Sequence, residues 1–165
     1  MKAVKFLGKG LKMKNINEAK MRVFNPNEEL ICAIKGGIET EILDRKTVRK
    51  GILLITSQRV IFYMPKLFGR YEYEVYPYSQ ISSVHYHKGL AMDRIEITVA
   101  SDYKVIKWIP KGDGEPATQI IQDMITSLRV KPSAVVHEPQ KRFCSSCGAS
   151  VPPEAKFCPY CGGKL

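Results

Sequence analysis

The sequence predicts a mainly β protein: a seven-stranded antiparallel barrel or sandwich capped by one helix, followed by a small separate lobe. Three observations support this. Residues 28–109 show successive strand patterns with no helical period between them. Residues 117–128 then change to a helical period. The last 22 residues contain four of the five cysteines. At 165 residues, the chain is long enough for one ordinary domain and a short appendage.

Short apolar or alternating runs define the seven expected strands. The second and third are separated only by Ser57-Gln58, which predicts a hairpin. We expect residues 65–70 to form a polar turn containing Gly69. The expected strands are residues 29–38, 51–56, 59–64, 71–75, 81–87, 95–99 and 103–109.

One amphipathic helix follows the strands. Its apolar positions recur at helical spacing and form a single stripe, which we expect to cover an open end of the barrel. Asp113 is the expected N-cap, and Pro116 suits the first turn. The stripe consists of Ala117, Ile120, Ile121, Met124, Ile125 and Leu128.

Positive charge is concentrated at the N-terminal end. The chain carries a net charge of +10, of which residues 1–22 supply +6, whereas residues 23–128 are neutral. Residues 1–24 are therefore expected to form a basic N-terminal arm or helix. Val4, Leu7 and Leu11 have helical spacing among lysines, as in an interfacial anchor. The alternative is an arm packed on the domain, because Gly8 and Gly10 weaken a helix.

The cysteine pattern is the most specific chemical signal in the chain. Its spacing, C-x2-C-x10-C-x2-C, lets a short segment wrap one tetrahedral zinc ion with four thiolates. Gly148 and Gly162 follow the pairs and can take positive φ. Four protein ligands leave no place for a reacting water, so this one zinc is expected to be structural. The predicted ligands are Cys144, Cys147, Cys158 and Cys161.

Two disulfides are the alternative to zinc. They are disfavoured because Lys2, Lys5 and Lys9 interrupt any secretory signal in the first residues. Reduced thiols and apolar runs of only four or five residues predict a cytoplasmic protein without a membrane span. Contact with the inner membrane surface remains compatible with this localisation.

These features divide the chain into four expected regions. Residues 1–24 form the basic arm or helix, and residues 25–130 form the β domain. Residues 131–142, which contain Pro132 and Pro139, form a flexible linker. Residues 143–165 form the zinc-dependent lobe, which is too short to fold without a metal.

The β domain resembles the bacterial PH-like domains of the YokE and GRAM-related kind. The resemblance covers about residues 25–130 and is carried by the hairpin at 51–62, with Thr56 and Arg59, and by the segment 75–84, with Ile81. The approach to the first strand, residues 25–30, is also similar. Val75-Tyr76 departs from the simple isoleucine that this family often has before the proline. The tail separately resembles short zinc-ribbon modules.

The resemblance implies a binding scaffold rather than an enzyme. PH-like folds present loops and a sheet face to lipids, peptides or partner domains, and no catalytic motif occurs in this sequence. The expected function is that of an adaptor, with a PH-like domain that recognises a protein partner or the inner membrane surface. The zinc ribbon would be a second interaction module.

One basic cluster is a candidate site for anions or a membrane. Such a cluster can contact phosphate groups, as the resembled fold does in some members. The alternative is a solvated turn, balanced by Glu39, Glu41 and Asp44. The cluster comprises Arg45, Lys46, Arg49 and Lys50, expected in the loop between the first two strands.

A nucleic-acid-associated protein is the alternative function. It would use the zinc ribbon and the basic N-terminal arm, and the net positive charge permits it. It is less favoured because aromatic and basic residues do not interleave in a recognisable binding pattern.

Overall fold

A computed structural model describes residues 6–42, 45–129, 142–151 and 155–164. The chain divides into two compact units, Met1–Val130 and Lys131–Leu165. Most of the predicted linker, residues 131–141, lies outside the described residues.

Among the described residues, the first unit has eight strands and two α-helices, and the second has two short strands. In chain order they are β1 (Phe6–Leu7), α1 (Met13–Val23), β2 (Leu30–Ile42), β3 (Arg45–Thr56), β4 (Arg59–Pro65), β5 (Tyr71–Pro77), β6 (Ile81–His87), β7 (Met92–Val99), β8 (Asp102–Pro110), α2 (Gly114–Arg129), β9 (Arg142–Phe143) and β10 (Ser150–Val151).

Seven strands form one strongly connected antiparallel sheet in the first unit. The strand order is β5-β4-β3-β2-β8-β7-β6, and the short β1 adds to β2 in parallel. Within the described residues β5 and β6 do not pair, so the sheet remains open there. Helix α2 packs against β6, β7 and β2. The structure therefore confirms a mainly β domain, built on an antiparallel sheet and followed by a C-terminal helix.

Apolar side chains pack on both faces of this sheet. Inside the sheet, Ile34, Leu53 and Ile97 belong to a large core that also includes Ala117 and Ile121 of α2. The predicted stripe of α2 accordingly faces the core, except for Leu128, which is exposed. On the outer face, α1 packs against Ala33, Leu54 and other apolar side chains of β2, β3 and β4.

The first hairpin is longer than predicted. Strand β2 extends to Ile42 and β3 begins at Arg45, with regular pairing from Cys32–Ile55 to Ile42–Arg45. The placement of the basic cluster in a loop is therefore wrong. The hydrophobic pattern misses this extension because its strands are rich in polar residues, which include opposed Thr40 and Thr47.

Two further expectations concern the N-terminal arm and the segment 65–70. Of the two alternatives for the arm, Phe6–Leu7 follows the one packed on the domain, as a strand that pairs with β2, and α1 begins only at Met13. The predicted polar turn at 65–70 presents Leu67 and Phe68 to solvent. The description of this segment as polar is therefore wrong.

Asp113 directly precedes α2, as expected for an N-cap position. Its Oδ2 accepts a hydrogen bond from the backbone N–H of Lys9 at 2.6 Å. Asp113 therefore attaches the N-terminal segment to the start of α2.

Candidate metal centre and binding surfaces

The four predicted zinc ligands lie together in the second unit. Their Sγ atoms are all within 4.8 Å of one another. Cys144 and Cys161 are 3.7 Å apart, as are Cys147 and Cys158. A tetrahedral ion with metal–sulfur bonds of about 2.3 Å has ligand atoms about 3.8 Å apart. Disulfide bonding would require about 2.05 Å. The cysteines are free thiols that fit one zinc ion.

Two matching turns bring the thiols together. The backbone N–H of Gly148 donates to the carbonyl of Cys144, and that of Gly162 donates to the carbonyl of Cys158, both at 2.8 Å. Both glycines have positive φ, 72° and 73°, as predicted from their position after each pair. The two turns therefore have the same backbone geometry, and each carries two of the four thiols.

The thiols are electrostatically coupled. Backbone N–H groups of Cys147 and Ser146 lower the pKa of Cys144 to about 6. The N–H of Ala149 also lowers the pKa of Cys147, but hydrogen bonds with the thiols of Cys161 and Cys144 outweigh it and raise this pKa to about 12. Without a cation, one thiolate therefore hinders formation of the next. A divalent ion provides the compensating charge that lets all four lose their protons.

The large aromatic side chains of the second unit are mostly exposed to solvent. Phe143 and Phe157, which precede the two cysteine pairs, are 64% and 62% exposed, and Tyr160 is 75% exposed. The buried cluster consists of Cys144, Cys158 and Val151. These aromatic side chains are therefore exposed and do not belong to the buried cluster of this unit.

The four residues of the basic cluster lie on opposite faces of β3. Side chains alternate between the faces of a strand, so Arg45 and Arg49 lie on one face and Lys46 and Lys50 on the other. Arg49 pairs with Glu72 at 2.5 Å, and Lys46 pairs with Glu39 at 3.4 Å. The structure thus does not bring the four residues to one surface, and their role in anion or membrane binding stays a prediction.

A second exposed surface lies in the loop between β4 and β5. Phe68 is 98% exposed and Leu67 is 79% exposed, with Lys66 and Arg70 on either side. Phe68 has φ of 58°, a conformation that bulky residues rarely adopt. Arg22 of α1 donates from Nη1 to the carbonyl of Gly69 at 2.6 Å, which fixes the base of the loop. Sequence reasoning missed this site because it classified the segment as polar.

A buried ionic network explains the Thr56 and Arg59 motif. The Glu28 carboxylate accepts hydrogen bonds from Arg59 Nε at 3.1 Å and Nη2 at 3.0 Å, and from Thr56 Oγ1 at 2.6 Å. Arg59 also donates to the carbonyl of Val23 at the end of α1 at 2.8 Å. These residues join the β3–β4 hairpin to α1, so the motif stabilises the fold.

Comparison with known sequences identifies both units. A model of the family described as Bacterial PH domain matches residues 24–123, and a zinc-ribbon domain model matches residues 143–165. An uncharacterised protein from Archaeoglobus fulgidus is 27% identical over 111 residues. This match covers 67% of the present chain and 55% of that relative, so the chain spans about half the relative's length.

Similar solved structures include two domains from other organisms. The C-terminal domain of an unknown protein from Leishmania infantum has a TM-score of 0.50 and 13% identity, over 70% of this chain and 99% of that one. A pleckstrin homology domain from Shewanella amazonensis has a TM-score of 0.43 and 16% identity, over 70% and 96%. At these identities, the similarity concerns the fold alone.

Neither described helix has the length and apolar character needed to cross a bilayer. Among the described residues, the four cysteines are the one group of three or more side chains that could hold a metal ion.

Proposed function

This chain belongs to the bacterial PH domain family, and we propose on that premise that it is a non-enzymatic adaptor in the cytoplasm. Its PH domain recognises a protein partner, and its zinc ribbon is a second interaction module. PH domains are generally binding modules without catalytic activity. The observation that carries the proposal is that each unit exposes large aromatic side chains: Phe68 on the first, and Phe157 and Tyr160 on the second.

Exposed aromatic groups favour protein recognition for an energetic reason. Aromatic side chains are enriched in the buried centres of protein interfaces, where each removes a large apolar area from water. Phe68 is supported by hydrogen bonds at the base of its loop, so little conformational entropy is lost when a partner covers it. The same loop is therefore suited to binding without rearrangement.

The experiment uses the full chain as bait in a native lysate. The Phe68→Ser variant tests the first unit, and a Phe157→Ser/Tyr160→Ser double variant tests the ribbon. Leu90→Ser is a matched control because Leu90 is an equally exposed apolar residue in another loop. We expect each test variant to lose a distinct set of partners and the control to lose none. Identical partner sets in all four baits would contradict the proposal.

Peripheral contact with the inner membrane is a second candidate for the PH domain. The apolar tip of Leu67 and Phe68 lies between the cations Lys66 and Arg70, an arrangement suited to an anionic interface. Cosedimentation with phosphatidylglycerol vesicles tests this candidate. Binding that is lost in Phe68→Ser but kept in Leu90→Ser supports it, whereas equal sedimentation of the three proteins argues against it.

A further inference from the structure

A groove on the outer face of the sheet has no role in the function proposed above. It lies between the start of α1 and strands β2, β3 and β8, and it has a volume of about 660 Å³. This size falls within the range of small-molecule sites, roughly 300–1,000 Å³. Its apolar walls are formed by Leu11, Ile52, Pro65, Met92 and Trp108.

The floor of the groove is bare backbone. Gly36 of β2 and Gly51 of β3 are register partners and both line the groove. Their missing side chains would point into the core, since a Cβ on Gly51 would lie 2.6 Å from the Phe62 ring and one on Gly36 would lie 2.8 Å from Ile106. Because both positions face the core, these two residues line the groove with backbone atoms and with no side chain.

Trp108 stands at the wall of this groove because of an irregularity in β8. Asp93 pairs with Ile109 and Ile95 pairs with Ile106, so two residues of β8 oppose one of β7. This bulge, with φ of 57° at Trp108, turns the indole to the outer face. There it lies over Gly37, where a Cβ would come within 2.9 Å of the ring. The indole is nevertheless 45% exposed.

The charge around the groove is positive and unbalanced. Three exposed lysines line it, Lys12, Lys35 and Lys50, and no carboxylate does. Within the described part of the chain these three have no ion-pair partner, whereas Lys46 and Lys107 both pair with Glu39. Lys50 Nζ instead lies 6.0 Å from the centre of the Trp108 ring. The site thus combines an apolar interior with a cationic rim.

We propose that this groove binds a free single-chain anionic amphiphile, with its acyl chain between Trp108 and Ile52 and its anionic head at Lys35 and Lys50. The volume favours a small molecule over a folded partner, and the apolar walls favour a chain over a compact phosphate. The inference is independent of the zinc ribbon and of the Phe68 loop, so it can fail while the adaptor function holds.

The test titrates the full chain with sodium decanoate below micelle-forming concentrations. Trp108 is the only tryptophan in the chain, so its emission reports directly on the groove. We expect a saturable blue shift and a 1:1 stoichiometry by calorimetry. Affinity should rise about 15-fold for each two methylenes from octanoate to dodecanoate, because each methylene buried adds about 0.8 kcal/mol. No dependence on chain length would overturn the proposal.

Lysine variants test whether the lysines of the groove, rather than the positive charge of the whole protein, hold the anionic head. Lys35→Gln and Lys50→Gln should each weaken decanoate binding about threefold, the effect of losing one exposed charge contact. Lys14→Gln is the matched control, because Lys14 is exposed on α1 but does not line the groove. Circular dichroism should show the same fold in all three. An equal loss in Lys14→Gln would overturn the assignment of the head to this rim.

Other ligands test whether the groove recognises an anionic chain, a phosphate group or a membrane surface. Neutral 1-decanol should bind more weakly than decanoate. Inositol hexakisphosphate, which carries charge without a chain, should not shift the Trp108 emission. Stronger competition by inositol hexakisphosphate, or an emission change with phosphatidylglycerol vesicles but not with decanoate, would overturn the proposal in favour of a phosphate or membrane site.

Discussion

At the residue scale, Glu28 is a buried carboxylate that is held by several neighbouring groups. Its side chain has no exposed surface, and it contacts the guanidinium of Arg59, which is 19% exposed. A buried charge is costly unless it is paired and hydrogen-bonded. Here Arg59, Thr56 and the backbone N–H of Asn25 all donate to the carboxylate. The pair therefore helps to fix where α1 packs on the hairpin.

Removing one member of this pair should be much more harmful than removing both. We expect Glu28→Gln or Arg59→Met to lower the free energy of unfolding by about 3–5 kcal/mol, because the remaining polar group loses its partner inside the fold. A Glu28→Leu/Arg59→Met double variant should recover part of this loss. Urea unfolding followed by Trp108 emission measures these differences. Additive losses in the double variant would contradict this explanation.

The same network predicts how stability depends on pH. Burial by itself raises the pKa of Glu28, but hydrogen bonds from Arg59, Asn25 and Thr56 outweigh it and hold the pKa below its ordinary value of 4.5. The stabilisation is therefore complete above this ordinary value and is lost as the pH falls through the folded-state pKa. Urea midpoints between pH 7 and pH 3 should fall less steeply in Glu28→Gln than in the parent chain. Parallel curves would rule out Glu28 as the titrating group.

The residue scale also shows what sequence reasoning can and cannot supply. The sequence identified Thr56 and Arg59 as parts of a motif, but it did not reveal that both hydrogen-bond to a buried carboxylate. The partner, Glu28, lies 28 and 31 residues earlier in the chain. A periodic pattern contains no information about such a pairing, so the reason for the motif becomes visible only when the strands and α1 are brought together.

At the scale of single elements, the first hairpin illustrates why prediction failed locally. The inner parts of β2 and β3 are apolar and were recognised. Their outer parts, up to Ile42 and from Arg45, carry polar cross-strand pairs such as Thr40 with Thr47, whose hydroxyls are 3.2 Å apart. Strand pairing there is stabilised by the backbone and these side chains rather than by burial. A hydrophobic alternation is therefore absent from the sequence.

Helix α1 depends on one apolar face. Ile16 and Ala19 are fully buried against the outer face of the sheet, whereas Met21 on the same helix is 88% exposed. Most helical stability in proteins comes from such packing rather than from intrinsic propensity. The sequence left two alternatives for the N-terminal residues, a helix built on Val4, Leu7 and Leu11 or an arm packed on the domain, because it does not show which sheet face would be uncovered.

This packing predicts a contrast between two substitutions on α1. Ile16→Ala should lower the free energy of unfolding by about 2–5 kcal/mol, because it leaves a cavity in the interface with the sheet. Met21→Ala should change it by less than about 0.5 kcal/mol. Urea unfolding of both variants at neutral pH measures the contrast. Similar effects of the two substitutions would show that α1 does not pack as described.

At the scale of the whole molecule, the two units obtain their stability in different ways. The first has a large apolar core, whereas the buried cluster of the second consists of two cysteines and Val151. Structural zinc contributes on the order of 10–16 kcal/mol in small domains. Both units were predictable, because β alternation and cysteine spacing are local signals. The exposure of Phe68 and Trp108 was not, because it results from a loop conformation and a bulge.

Chelation should therefore unfold one unit and leave the other intact. Elemental analysis should find one zinc per chain, and a strong chelator or Cys158→Ser should remove it. We expect the backbone amides of residues 142–164 to lose their chemical-shift dispersion in NMR spectra, while Trp108 emission and the urea midpoint of the first unit stay unchanged. A metal-free second unit that keeps its dispersed resonances would contradict a metal-dependent fold.

The residue at position 68 is one that stability alone would not favour. A phenylalanine with φ of 58° costs of order 1–3 kcal/mol relative to a relaxed backbone, and its ring, 98% exposed, gains almost nothing from burial. Glycine at this position would relieve the strain at no cost to packing. A sequence optimised for thermal tolerance alone would thus differ here, and engineering the protein for robustness by relaxing this residue would remove the very group that we expect to recognise a partner.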